Sequence, residues 1–199
     1  MTKIKICGLF RECDADFVNE AMPDFAGLVF FDRSRRNVDD SMAELLRKRI
    51  SPRIKTVGVF VNEPTEHVAD LYNKGIINII QLHGTESADY IARLRQLTDA
   101  EIWKAYKVSY EDDLTAARQS AADKVVLDNG YGTGKRFNWS LLGSGISSMI
   151  LAGGLDSGNI AEAIKRFHPW AVDLSSGVET GGYKDREKII LAVKAAREA

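Results

Sequence analysis

Eight short runs rich in isoleucine, valine and phenylalanine recur along this chain. They begin at residues 3, 26, 55, 77, 101, 124, 148 and 171. The runs are KIKIC (3–7), AGLVFF (26–31), KTVGVFV (55–61), INIIQLH (77–83), EIWKAYKV (101–108), KVVLD (124–128), SMILAGG (148–154) and AVDLSS (171–176). Their spacing of roughly 24 residues is the length of a strand, two loops and a short helix. Most runs are continuously apolar rather than alternating, as in strands covered on both faces of a parallel sheet. Parallel neighbours need right-handed crossovers, and the segments between the runs have helical periodicity. In 62–75, Val68, Leu71 and Tyr72 share one face, Pro64 suits the first turn and Gly75 suits the stop. In 157–169, Ile160, Ile164 and Phe167 form a stripe, and 185–199 puts acidic residues early and basic ones late. The segment around NWSLLGS (138–144) has room for a turn or two. Eight near-equal repeats, with no long insertion and no Pro/Gly/Ser-rich linker, predict a single-domain α/β fold. It is an eight-stranded parallel (β/α)8 TIM barrel over 1–199. The alternative is an open doubly wound sheet, whose rhythm usually breaks at a switch point.

Composition narrows the partners. Lysine plus arginine (27) nearly balances aspartate plus glutamate (28), so no chain-wide basic field favours nucleic acid. No apolar run approaches the roughly 18 residues of a membrane span. The N-terminal residues show no apolar stretch followed by a small-residue cleavage site. The two cysteines, Cys7 and Cys13, make neither a disulfide framework nor a zinc-ligand set. A cytoplasmic protein is the expectation.

In a β/α barrel the chemistry sits where strands end. The strand ends here are Cys7-Gly8, FFDRSRR, Val61-Asn62, QLHG, Lys107, Asp128, AGG and SSGVE. On position alone several have plain readings. Cys7 could be a small buried hydrophobe, the glycines tight turns, and the arginines solvated loop charges. Cys13 shares a helical stripe with Phe17 and reads as core.

The full set of motifs resembles the phosphoribosylanthranilate isomerase family of tryptophan biosynthesis. The carriers are KICG (5–8), GLVFFDRSRR (27–36), VGVFVN (57–62), QLHG (81–84), LDNGYGTGKRFNW (127–139), LAGGL (151–155) and DLSSGVETGGYKD (173–185). The resemblance implies an aldose–ketose isomerase that carries out an Amadori rearrangement. An acid protonates the ring oxygen of a phosphoribosyl amine, the ring opens to an iminium, and a base removes the proton from the second sugar carbon. It implies Cys7 as general base and Asp128 as general acid. Arg36 would take the anthranilate carboxylate, although Arg35 stands where the family usually has proline. Gly153, Gly154, Ser176 and Gly177 would cradle the phosphate, with Asp173 and His83 as further candidates. Gly132 to Gly134 read as a flexible loop that closes over the substrate, with Phe137 and Trp139 either anchoring its far end or serving as ordinary packing, and Asn138 stands where the family usually has aspartate. No metal or organic cofactor is expected, because the iminium is the electron sink. The expected partner is a small sugar phosphate, with no nucleic acid or membrane, and a monomer or homodimer. Two other readings stand beside this one. One is another sugar-phosphate isomerase or epimerase barrel; the other is an inactive barrel that only binds a phosphate ligand.

Overall fold

The structure is a computed structural model that describes residues 1–108, 111–128, 139 and 148–199. Eight strands follow the eight apolar runs. They are β1 (Lys3–Cys7), β2 (Phe25–Phe30), β3 (Lys55–Phe60), β4 (Ile79–Leu82), β5 (Glu101–Lys107), β6 (Lys124–Asp128), β7 (Ile150–Leu151) and β8 (Ala171–Leu174). All neighbours pair in parallel, and β8 returns to β1 to close the barrel. β4 starts two residues into its run. Asn78 turns there, its Oδ1 accepting from Thr56 N at 2.9 Å.

Seven α-helices lie among the described residues. They are α1 (Glu12–Ala21), α2 (Asp40–Arg49), α3 (Thr65–Asn73), α4 (Ala88–Leu97), α5 (Glu111–Arg118), α6 (Ile160–Phe167) and α7 (Arg186–Arg197). Side chains of Asp39, Ser87 and Asp185 accept amide protons at the starts of α2, α4 and α7, the usual capping chemistry. Pro64 immediately precedes α3, and Gly75 follows its end with φ +72°. Between β8 and α7 come a 3-10 turn (Ser176–Val178) and a hairpin of β9 (Glu179–Thr180) and β10 (Tyr183–Lys184). The hairpin turn is Gly181-Gly182, both at positive φ, which a tight two-residue hairpin of this kind requires.

Strand side chains alternate between two cores. Ile4, Ile6, Leu28, Ile80, Ile102, Leu127 and Val172 face the helices. Cys7, Phe25, Val57, Val59, Ile79, Trp103, Val126, Ile150 and Ala171 fill the barrel interior. Phe25, Trp103 and Trp170 pack edge-on or tilted, with centroids 5.1–5.8 Å apart. The Lys3 and Lys124 ammoniums lie over the Trp170 ring at 4.5 and 4.8 Å. Large apolar groups therefore fill the barrel above the Lys3 and Lys124 ends, and the buried polar side chains of Lys5, Gln81, Asp173 and Asp128 lie above them toward the C-terminal rim.

Candidate active site

Cys7 is the last residue of β1 and Asp128 the last of β6, and both are buried. Each is two residues beyond an inward position (Lys5 and Val126), so each points into the barrel mouth. In the closed order β6-β7-β8-β1 they stand three strands apart. Room for the thiol is made by Gly27 on β2, the register partner of Cys7. A Cβ at Gly27 would lie 2.7 Å from Cys7 Sγ.

Below the thiol is a buried ion pair. Lys5 Nζ donates to Asp173 Oδ2 at 2.6 Å and to Gln81 Oε1 at 2.8 Å. Lys5 and Asp173 are register partners across the β1–β8 seam. Burial is the largest influence on the Lys5 ammonium and pulls its pKa down, but Asp173 and Cys7 outweigh it and hold the pKa above its ordinary value. Burial pushes the Cys7 thiol up, and Asp173 adds to the rise; the Lys5 and Lys184 ammoniums oppose it.

The ion pair also fixes a tautomer. An ammonium only donates, so the Gln81 atom facing Lys5 is its carbonyl oxygen. That turns the Gln81 amide nitrogen toward His83 Nδ1 at 3.4 Å. An amide nitrogen only donates, so Nδ1 accepts and the ring proton sits on Nε2. His83 Nε2 is 3.2 Å from Asp128 Oδ2. A polar chain thus crosses the mouth from the seam below the thiol to the carboxyl group. The QLHG turn carrying His83 is held by Glu86, which accepts from Asn62 N and Gly84 N and pairs with buried Lys104 at 2.7 Å.

On the far side, Gly153 (φ +88°) and Gly154 (φ +67°) follow β7, and Ser176 and Gly177 follow β8. The two loops touch. A Cβ on Gly177 would fall 1.9 Å from the Leu155 carbonyl oxygen, so only glycine fits. Backbone with small residues at strand ends is of the kind that can present amide groups to an anion.

Arg36, after β2, lays its stem across Gly8; a Cβ there would be 2.4 Å from Arg36 Cδ. Its guanidinium meets Glu179. Arg35 also reaches Glu179, but its side chain is 58% exposed against 12% for Arg36. Sequence reading singled out Cys7, Asp128, Arg36, Asp173 and His83, and the fold gathers them with Gly153, Gly154, Ser176 and Gly177 on the C-terminal side of the barrel. It missed Gly27, Gln81, Lys5, Glu179 and Lys184. Lys5 and Gln81 were legible as polar residues inside otherwise apolar runs. The roles of Gly27, Glu179 and Lys184 appear only with register. Cys13 is half-buried at the helix flank rather than core. Trp139 packs edge-on against Phe167 at 5.7 Å. Gly132–Gly134, Phe137, Asn138 and 140–144 lie outside the described residues. Among the described residues no cluster of three or more His, Cys, Asp or Glu could hold a metal ion, and no helix is long and apolar enough to cross a membrane.

The family model for N-(5'phosphoribosyl)anthranilate (PRA) isomerase matches residues 4–195. A relative from Thermoanaerobacter pseudethanolicus with that isomerase name is 42% identical over 204 residues, covering 99% of this chain and 98% of the relative. One from Endomicrobium trichonymphae is 43% identical over 202 residues, covering 99% of each. The crystal structure of phosphoribosyl anthranilate isomerase from Thermotoga maritima superposes with a TM-score of 0.88 at 34% identity, covering 100% of both chains. A structure of such an isomerase with reduced 1-(o-carboxyphenylamino)-1-deoxyribulose 5-phosphate gives 0.86 at 32%, again covering 100% of both. The match runs from the first strand into the last helix and includes every strand end described above, so this chain belongs to the N-(5'-phosphoribosyl)anthranilate isomerase family.

Proposed function

We propose that Cys7 and Asp128 carry the acid–base chemistry of this family's reaction, the Amadori rearrangement of N-(5-phosphoribosyl)anthranilate in tryptophan biosynthesis. The observation that carries the reading is their placement. Each ends a barrel strand, each points inward at the same rim, and three strands separate them around the wall. One sugar ring held between them has an acid on one side and a base on the other.

The steps follow. The Asp128 carboxyl gives its proton to the ring oxygen as the bond from that oxygen to C1 breaks. The nitrogen lone pair forms the iminium. The Cys7 thiolate takes the proton from C2, and that electron pair neutralises the iminium to an enolamine. The enolamine tautomerises to the aminoketose. The positive charge on the iminium helps a thiol whose burial otherwise favours its protonated form. His83, with its proton on Nε2, faces one Asp128 oxygen. Gly153, Gly154, Ser176 and Gly177 hold the phosphate, Arg36 holds the anthranilate carboxylate, and Asp173 keeps Lys5 charged beneath the thiol.

The whole chain, 1–199, acts as one catalytic barrel, as a monomer or homodimer. The Thermotoga maritima relative is described as dimeric, with monomers generated from it. A cytoplasmic setting suits its two unpaired cysteines.

Turnover of freshly made phosphoribosylanthranilate, followed by fluorescence, tests the reading. Cys7→Ser and Asp128→Asn are each expected to lower kcat by about 10²–10⁴-fold, the range for a lost general acid or base, while Cys13→Ser stays near the parent. Near-normal kcat in either of the first two variants removes that residue from the chemistry.

A further inference from the structure

Glu179 is a heavily partnered carboxylate at the rim. Its side chain is 3% exposed, and it takes three cations. Arg36 Nε donates to Oε1 at 2.6 Å and Arg36 Nη2 to Oε2 at 2.9 Å. Arg35 Nη2 donates to Oε2 at 2.6 Å and Lys184 Nζ to Oε1 at 2.6 Å. Burial pushes the Glu179 carboxyl up, but Arg36 and Lys184 win and hold it below its ordinary value, so it stays ionised.

The atoms matter more than the charge. Glu179 occupies the side edge of the Arg36 guanidinium, the one formed by Nε and one Nη2 proton. A guanidinium has five N–H donors in one plane. Its end edge, formed by Nη1 and the second Nη2 proton, has no acceptor among the described residues. That end edge is itself a fork matched to a carboxylate.

We propose that Glu179 is a positioning residue for Arg36, gripping the side edge so that the end edge is held ready for the carboxylate of the substrate. This rests on the reading of Arg36 given above. The support is layered. Glu179 sits on β9 opposite Lys184 on β10, in a hairpin whose Gly-Gly turn fixes the register. That hairpin is fastened to the loop after Cys7: Arg11 Nη2 donates to Lys184 O at 2.7 Å, and the Arg11 guanidinium lies 4.9 Å from the Tyr183 ring centroid. The Arg36 stem crosses Gly8 in the same loop. An arginine fixed before binding need not lose side-chain freedom when the ligand arrives. One carboxylate among three cations also leaves the locality positive, which suits an anionic ligand.

The test uses the intact enzyme and two inhibitors. One is reduced 1-(o-carboxyphenylamino)-1-deoxyribulose 5-phosphate; the other is its analogue without the ring carboxyl. The ratio of their inhibition constants measures recognition of the carboxylate. Glu179→Gln should weaken the carboxylated inhibitor roughly tenfold and the other little, and the loss in turnover should fall on KM rather than kcat. Arg36→Met should give the same pattern, and Glu179→Gln added to Arg36→Met should cause no further loss. A folded Glu179→Gln that keeps the parent ratio, or that adds its full effect to Arg36→Met, overturns the proposal alone. Arg36→Met with the parent ratio overturns the reading of Arg36, and this proposal with it. If Glu179→Gln does not fold, Glu179→Gln/Lys184→Met removes the stranded ammonium and is read by the same ratio.

Discussion

Cys7 stands under opposing influences. Burial and the Asp173 carboxylate favour the thiol, whereas the Lys5 and Lys184 ammoniums favour the thiolate, and the balance falls on the side of the thiol. The free enzyme therefore holds a largely protonated base at neutral pH. A group that must lose its proton becomes more reactive as pH rises. Alkylation of Cys7 by iodoacetamide, measured in a Cys13→Ser background, is expected to accelerate with pH and to reach half its maximal rate above about 8.5, the free-thiol value. A midpoint below that value would mean the ammoniums outweigh burial. The cysteine at the end of KIKIC was visible in the sequence. Gly27, which makes room for its sulfur, was not, because the two residues meet only through strand register.

At the scale of elements, short polar links fasten the repeating units to one another. His67 on α3 is one of them. Its Nδ1 is 2.8 Å from Glu63 Oε1 and its Nε2 3.0 Å from Asp40 Oδ1 at the start of α2. Burial is the largest influence and lowers the imidazole pKa, but the two carboxylates together raise it above its ordinary value. A raised histidine contributes stability that is fully present below its unfolded value of about 6.5 and is lost as pH climbs through the folded value. Replacing His67 by Gln should therefore cost more at pH 5.5 than at pH 8.5. The site is partly open to solvent, so the difference is expected to be only about 0.5 kcal/mol. Urea unfolding at the two pH values measures it, and an equal cost at both would remove the histidine charge from the account. The helices themselves were legible from apolar spacing and stop signals, as Pro64, Val68, Leu71 and Gly75 illustrate. The link between α2 and α3 was not, because Asp40 and His67 lie 27 residues apart.

The whole molecule depends on closing the sheet between β1 and β8, and the Lys5–Asp173 pair lies in that seam. Asp173 Oδ1 is buried with no partner among the described residues. Removing one member of a buried pair strands the other charge. Lys5→Met is expected to cost about 3–5 kcal/mol, and Lys5→Met/Asp173→Leu to recover much of it, because the double replacement leaves no buried charge unpaired, only the Gln81 carbonyl without its donor. Lys5 lies above its ordinary value, so its contribution is complete below the unfolded value of about 10.5 and disappears only as pH rises through the folded one. Denaturant unfolding at neutral pH is thus a clean measurement. If the double variant is no more stable than the single, the seam depends on the pair rather than merely tolerating it.

The sequence by itself determined the number of barrel strands, their parallel pairing and the strand ends that carry Cys7, Asp128, Gly153 and Ser176, but not the β9–β10 hairpin. Hydrophobic periodicity and chain spacing are local properties, and eight near-equal repeats leave few ways to bury eight apolar runs. Tertiary structure alone decided which groups answer one another: Gly27 and Cys7, Lys5 and Asp173, Lys5 and Gln81, His83 and Asp128, Glu179 and Arg36. Those pairs are set by barrel closure and register. Closure brings together residues as far as 173 positions apart, and no local pattern in the chain encodes which side chains then come within bonding distance.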